Sequence, residues 1–177
     1  MSVQYVEYYT LDDHRRWEGD WELVYGVPYA MAPSPLVTHQ SVNGKIFLEL
    51  GKSLGDCSKC QALFETDWEV ADDTVVRPDT LVICYEPDEH LTKKPELIFE
   101  IISSSTARRD ETLKYDLYQQ EGVAYYVIVY PERKVAKLYR LHEGRYIKVN
   151  DFLDETYTFE LEGCRIDFDF SRIWRVK

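Results

Sequence analysis

An apolar run, Leu97-Ile98-Phe99-Glu100-Ile101-Ile102, carries one carboxylate at its centre. A second run upstream, Val75-Val76-Arg77-Pro78-Asp79-Thr80-Leu81-Val82-Ile83, also carries one acid. Runs of this kind, rich in Ile and Val, read as strands buried on both faces. An ionised carboxylate inside such a strand is costly unless a cation or an array of donors meets it. Asp79 and Glu100 lie side by side if their strands pair, and hard oxygen ligands on adjacent strands suit Mg2+ or Mn2+. Such an ion polarises a phosphate oxygen and lowers the pKa of a bound water, and a nearby lysine orients that water or stabilises the charge on phosphorus. Lys114, one turn into the helix expected after Glu100, has the right type and place. These residues point to phosphodiester chemistry. The competing reading is a buried ion pair, Asp with Lys or Glu with Arg, that holds the strands in register.

The rest of the chain bounds this reading. At 177 residues, the sequence is expected to form one domain that buries about two-thirds of its unfolded-chain surface. Lys and Arg total 21 against 32 Asp and Glu, a net charge of −11. An acidic chain is a poor general binder of polyanions, which counts against a nucleic-acid substrate. A local strip of Arg108, Arg109 and Lys114 opposes the global field, and divalent cations would neutralise some of the acids. No N-terminal apolar segment resembles a signal peptide, and no run approaches the roughly 20 residues that cross a bilayer. A soluble, cytoplasmic protein with no membrane partner is expected. Cys57-Ser58-Lys59-Cys60 is a CxxC, which could bind zinc or cycle a disulfide, but zinc needs two further ligands of good spacing. Cys84 and Cys164 sit alone in strand-like surroundings, so four reduced structural cysteines are expected.

The elements that would position the acids follow from pattern. Trp21 to Tyr25 and the residues after Gly26 read as a hairpin turning at Gly26. Val42, Ile46, Leu50 and Leu54 recur at four-residue steps from Val37 onward, an amphipathic helix that Gly51 or Gly55 would end. Strands are expected over 62–70, 75–84 and 96–102. Ser103-Ser104-Ser105-Thr106 is a capping-rich junction into a helix through Leu113, Leu117 and Tyr118, with Asp110 a further cap, stopping at Gly122. Strands over 124–130 and 135–141 follow, then a meander over 146–149 and 157–174. The order predicts an α/β layered fold with a mixed central sheet flanked by helices, with extra strands at both ends.

Four segments carry a resemblance. They are Trp21-Glu22-Leu23-Val24-Tyr25-Gly26; Ala32-Pro33-Ser34-Pro35 with His39-Gln40; Arg77-Pro78-Asp79; and the stretch from Leu97 to Thr106 continued by Arg109-Asp110, Lys114, Tyr118, Gly122-Val123 and Tyr125-Tyr126. Over roughly residues 20–145 the sequence resembles a bacterial family of proposed endonucleases, the Uma-two family, within the PD-(D/E)XK nuclease superfamily. The resemblance implies a restriction-endonuclease-like core at about 20–145, with a C-terminal strand extension over about 146–177. It implies that Asp79 and Glu100 bind the metal. Residue 102, where the superfamily pattern places a lysine, is Ile; the family's lysine has moved to the helix, which points to Lys114. An early-helix carboxylate often completes the superfamily site, with Glu49 the positional candidate and Glu22 behind it, although either also reads as an exposed or structural acid. An acid sometimes present in the family is missing at Val129-Tyr130-Pro131.

Among other residues, His39 is a candidate phosphate contact or proton relay, or else a capping or surface residue. Ser103, Ser105 and Thr106 could bond phosphate oxygens or satisfy orphan backbone groups. Arg108 and Arg109 are phosphate clamps or a solvated helix start. The resulting expectation is an Mg2+- or Mn2+-dependent endonuclease acting on DNA. A homodimer is implied by the superfamily's habit of cutting two strands. The alternative is a non-catalytic module of the same fold that binds a protein or nucleic-acid partner.

Overall fold

Tyr25 and Gly26 turn the chain with φ of 52° and 76°, the left-handed pair that closes a two-residue hairpin. They join β1 (Trp21–Val24) to β2 (Val27–Ala30), as the sequence predicts. A Cβ at position 26 would lie 2.2 Å from the Tyr8 ring, so glycine is required there twice over. The computed structural model describes residues 6–31, 35–103 and 106–174. A one-turn helix before the hairpin, α1 (Leu11–His14), rests on a complete capping box between Thr10 and Asp13. Apolar spacing does not foretell it, because none of its residues is buried. The long helix α2 (Val37–Leu54) matches expectation, burying Val42, Ile46, Leu50 and Leu54 and ending at Gly55.

The two expected strands over 62–70 and 75–84 each break into two. Their halves lie in different sheets: β3 (Gln61–Phe64) and β6 (Thr80–Ile83) in one, β4 (Trp68–Ala71) and β5 (Thr74–Val76) in the other. The first break falls at Glu65, where φ is +47°. The second falls at Arg77-Pro78-Asp79, since Pro78 has no N–H for a ladder. The two breaks meet, with Glu65 N–H donating to Asp79 O at 3.1 Å. Asp79 is therefore not inside a strand. It stands in a gap between strands, which frees its side chain from a packed face.

Next come β7 (Leu97–Ile101), a π-helical turn at Arg109–Leu113, α3 (Lys114–Gln120), β8 (Tyr125–Tyr130) and a 3-10 turn at Pro131–Arg133. The chain continues through β9 (Val135–His142), β10 (Arg145–Phe152), β11 (Thr156–Leu161), β12 (Cys164–Asp169) and a final turn, α4 (Ser171–Trp174). The main sheet runs β10-β9-β8-β7-β6-β3, the smaller β2-β1-β5-β4, and β11-β12 form a separate hairpin. Only β7 and β8 pair in parallel within the main sheet, so it is mixed. A parallel pair needs a crossover, and the π turn with α3 supplies it.

Alternation along the central strands fills two layers. Leu97, Phe99, Ile101, Val127 and Val129 face α2 and the aromatic residues Phe159, Phe168 and Phe170 near the C-terminus. Ile98, Tyr126 and Ile128 face Leu117 and Tyr118 of α3 together with Val24, Trp68 and Val76 of the smaller sheet. The C-terminal segment is thus more than an appended meander. β10 closes one edge of the main sheet, and Phe159 and Phe168 lie 6.4 and 5.2 Å, ring to ring, from Phe99.

The cysteines depart from expectation. The structure joins Cys57 to Cys164 and Cys60 to Cys84, residues that the sequence leaves scattered. Among the described residues, no helix is long and apolar enough to cross a membrane.

Phe159 contacts the rings of Phe99, Tyr125, Tyr157 and Phe168. Phe159→Ala is expected to destabilise the chain by about 3–5 kcal/mol, as large-to-small changes do in close-packed cores. Urea unfolding checks this; a loss under about 1 kcal/mol would mean that the C-terminal hairpin folds apart from the main core.

Candidate active site

β6 and β7 pair antiparallel with Thr80 opposite Phe99. Continuing that register by one residue sets Asp79 opposite Glu100. The two are cross-linked by local bonds: Asp79 N–H donates to Glu100 Oε2 at 3.4 Å, and Ile101 N–H donates to Asp79 Oδ2 at 2.7 Å. On the other side of the break, Arg77 N–H donates to Glu22 Oε1 at 2.9 Å. The N–H groups on either side of Pro78, which have left the ladder, are therefore met by carboxylates of two elements, Glu22 of β1 and Glu100 of β7, and Asp79 in turn accepts from the backbone of β7.

Lys114 points back over the strand ends, as the sequence predicts. Its Nζ lies 2.8 Å from Glu100 Oε1, 2.7 Å from Glu22 Oε1 and 3.7 Å from Asp110 Oδ1, with only 5 % of the side chain exposed. Tyr118, one turn further along α3, donates its hydroxyl to the same Glu100 Oε1 at 2.8 Å. Arg109 pairs with Glu22 Oε2 at 3.0 Å and lies over the Tyr29 ring. His39 Nε2 lies 3.3 Å from Asp79 Oδ1, and its buried Nδ1 has no hydrogen-bond partner among the described residues. Asn43, one turn on from His39, holds the Asp79 backbone by donating to its carbonyl at 3.3 Å, and its own oxygen accepts from Thr80 at 2.6 Å.

These groups line one cleft of about 560 Å³, which holds Glu22, His39, Asp79, Glu100, Ser103, Thr106, Arg109, Asp110 and Lys114. Four carboxylates (Glu22, Asp79, Glu100, Asp110) face Lys114, Arg109 and His39, and the consequences are electrostatic. Burial disfavours the charge on Lys114, but Glu100, Glu22 and Asp110 outweigh it and hold the ammonium well above its usual pKa. Burial also works against ionised Glu22, yet Lys114, the Arg77 N–H and Arg109 keep it below the usual carboxylate range. The deficit of positive charge falls on Glu100 and Asp110. Burial pushes Glu100 well up, and Asp110, Asp79 and Glu22 add to that push while Lys114 opposes it. Burial likewise drives Asp110 up to about 6. For His39, burial opposes protonation, but the bond and charge of Asp79, backed by Glu65 and Asp110, hold its pKa above the ordinary value.

The donor chemistry fits a divalent cation. Among the described residues, Asp79 Oδ1 meets only His39, and Glu100 Oε2 accepts only the long 3.4 Å bond, so hard oxygens with spare lone pairs face a cleft short of positive charge. The same geometry also realises buried ion pairs of the kind weighed from sequence, since Arg109 pairs with Glu22 and Lys114 stands between Glu22, Glu100 and Asp110.

Other candidates sort differently. Glu49 is corrected: it lies ten positions beyond His39, about 15 Å along α2 at 1.5 Å per residue, buried and 3.6 Å from Arg172. Glu22, ranked behind it, is the acid in the cleft. Arg108 is exposed and absent from the cleft lining, whereas Arg109 is committed to Glu22. Ser103 and Thr106 line the cleft, but Thr106 Oγ1 accepts the Ser103 N–H at 3.3 Å, a local turn bond. Ser105 lies outside the described residues. Ile102, at the place of the superfamily lysine, packs against the apolar layer under α3. Asp110 enters the site although its sequence context marks it only as a cap. The usable signal was its spacing of four before Lys114, which puts both on one helix face. Asn43 and Tyr118 carried no such signal.

Comparison with known proteins places this geometry. No curated protein matches the chain. A crystal structure from Anabaena variabilis ATCC 29413, described as "a putative nuclease belonging to DUF820", is similar over 93% of this chain and 97% of its own, with 14% identity and a TM-score of 0.75. At that identity the likeness bears on the fold, which is restriction-endonuclease-like. The model of the Uma2 family, described as "Putative restriction endonuclease", matches residues 5–168, and the chain belongs to that family.

Proposed function

We propose that the cleft is a nuclease active site that hydrolyses phosphodiester bonds of DNA with Mg2+ or Mn2+ bound by Asp79 and Glu100. The observation that carries this reading is the pairing of those two acids across β6 and β7 with Lys114 Nζ 2.8 Å from Glu100. The family match and the shared fold support a nuclease at the coarser level.

The metal, when bound, polarises a phosphate oxygen and acidifies a water to generate the nucleophile. The chain's own residues do the rest. Tyr118 and Lys114 fix Glu100 Oε1, leaving Oε2 toward Asp79. Asn43 fixes the backbone of Asp79. Lys114 is an ammonium held in a poorly hydrated site, where it stabilises charge that develops on the phosphoryl oxygens more than it would in water. His39 stands beside Asp79, where it would meet the incoming diester backbone, while Arg109 holds Glu22. Hydrolysis adds the water oxygen to phosphorus and releases one strand end as an alcohol that takes up a proton. A homodimer, with two such clefts, would cut both strands.

A second reading, a non-catalytic module of the same fold, is favoured by the ion pairs that Lys114 already makes and by the net charge of −11. The two differ in their response to metal. In the nuclease, Mn2+ raises the thermal midpoint of the parent through linkage to the folded state, and Asp79→Asn removes that rise. No rise in the parent would leave the module.

Activity assays use Mn2+ with linear and supercoiled DNA. Asp79→Asn is expected to lower cleavage at least about 100-fold, on the scale of losing a preorganised electrostatic group, while circular dichroism stays native. Normal cutting by this variant would remove Asp79 from the chemistry. Glu22→Gln is expected to lower cleavage, whereas Glu49→Gln leaves it unchanged; the opposite ranking would return the role to Glu49. Lys114→Met strands Glu100, Glu22 and Asp110 around a lost charge, and a stability loss of about 3–5 kcal/mol is expected in urea unfolding. A loss near zero would mean that the carboxylates do not depend on that ammonium.

A further inference from the structure

All four cysteines of the chain converge at one place, away from the cleft. Cys57 and Cys60 come from the connection between α2 and β3, Cys84 follows β6, and Cys164 opens β12. The sulfurs of Cys57, Cys60 and Cys164 all lie within 4.8 Å of one another, and the sulfur of Cys84 is joined to that of Cys60. Four sulfurs on a tetrahedral zinc, each about 2.3 Å from the metal, stand roughly 3.8 Å apart. The cluster is therefore of the size that one ion would gather.

We infer that the reduced form of this cluster is a structural Zn2+ site with four thiolate ligands. The Cys57-x-x-Cys60 spacing supplies two ligands from one loop, as structural zinc sites do, and the fold delivers the two that the sequence leaves isolated. The surroundings suit it. Leu54, Ala62 and Leu161 pack in the same apolar cluster as the cysteines; Cys60 is only 7 % exposed, and the other three are half-buried. Four thiolates around one Zn2+ leave a charge of −2, and Lys59 lies inside the knuckle against Gly163, next to Cys164. A Cβ at Gly163 would come within 2.7 Å of Lys59 Cδ and 3.5 Å of its Nζ. Gly163, with φ of +88°, gives that lysine its room. Binding releases the thiol protons to solvent and leaves the sulfurs' oxidation state unchanged. The ion ties the end of α2 and the end of β6 to the C-terminal hairpin. Two disulfides would make the same tie from the same sulfurs, and the two states exclude each other.

The test takes the full chain, reduced and freed of reductant, and adds Zn2+ or Co2+ alone. One zinc per chain is expected after desalting, with four thiols slow toward a disulfide reagent until a chelator frees them. Co2+ is expected to give the thiolate charge-transfer and visible bands of a tetrahedral sulfur site. Cys164→Ser, folded by circular dichroism, is expected to lose at least 100-fold in zinc affinity, while Asp79→Asn keeps it. A folded, reduced parent that takes up no zinc overturns the inference. So does a chain lighter by four hydrogens that resists reduction while folded. Full zinc uptake by Cys164→Ser with none by Asp79→Asn would put the metal in the cleft and overturn it as well.

Discussion

One buried ammonium organises this protein. Lys114 sits with almost no exposure among Glu22, Glu100 and Asp110, and a lysine so placed remains charged only because carboxylates surround it. Each of those acids comes from a different element: the smaller sheet, the main sheet and the π turn. The charge can be met only when all three are in place, so the contact that balances the site also docks the smaller sheet against α3. Removing any member would leave a charge inside a low-dielectric interior, where correction is costly.

The balance is incomplete, and that incompleteness is chemically useful. Burial and mutual repulsion raise Glu100 well above its ordinary range and Asp110 to about 6. A site that asks for more positive charge than its side chains supply is suited to a divalent cation, and then to a phosphate held by that cation. Seen this way, the acidic character of the chain and a phosphodiester substrate are compatible. Under the proposed function, the global field would repel nucleic acid, and cations held in the cleft would answer it. Affinity would rest on the metal and on few contacts, with weak general binding.

The arrangement depends on a break in regular structure. If residues 74–83 formed one strand, Asp79 would alternate into a packed face and Arg77 N–H would join a ladder. Pro78 prevents this, and Glu22, Glu100 and Asp79 accept or exchange the backbone bonds that the ladder gives up. The π turn at Arg109–Leu113 has a similar effect on the other side. It carries Asp110 on its buried side with Lys114 directly after it, and such turns are frequent at functional sites. Two local irregularities thus meet over one cleft.

The sequence by itself singled out the acids and the lysine as candidates, and it determined the long helix and the central strands. Their signals are local: one carboxylate in an apolar run, apolar residues four apart, Gly26 and Gly55 at the turns. It also carried the family through its motifs. It did not separate β3 from β4 or β5 from β6: the polar Glu65-Thr66-Asp67 and Pro78 stand at the breaks, but which sheet each half joins is settled only by its pairing partners. It ranked Glu49 above Glu22, since position along a helix says nothing of which end faces the cleft. It left Asn43 and Tyr118 unmarked, because an amide or a hydroxyl acquires a role only from the group opposite it. The four cysteines, scattered from 57 to 164 in the chain, came together only in three dimensions. Contacts between residues far apart in sequence are set by how layers pack, and that was decided by tertiary structure alone.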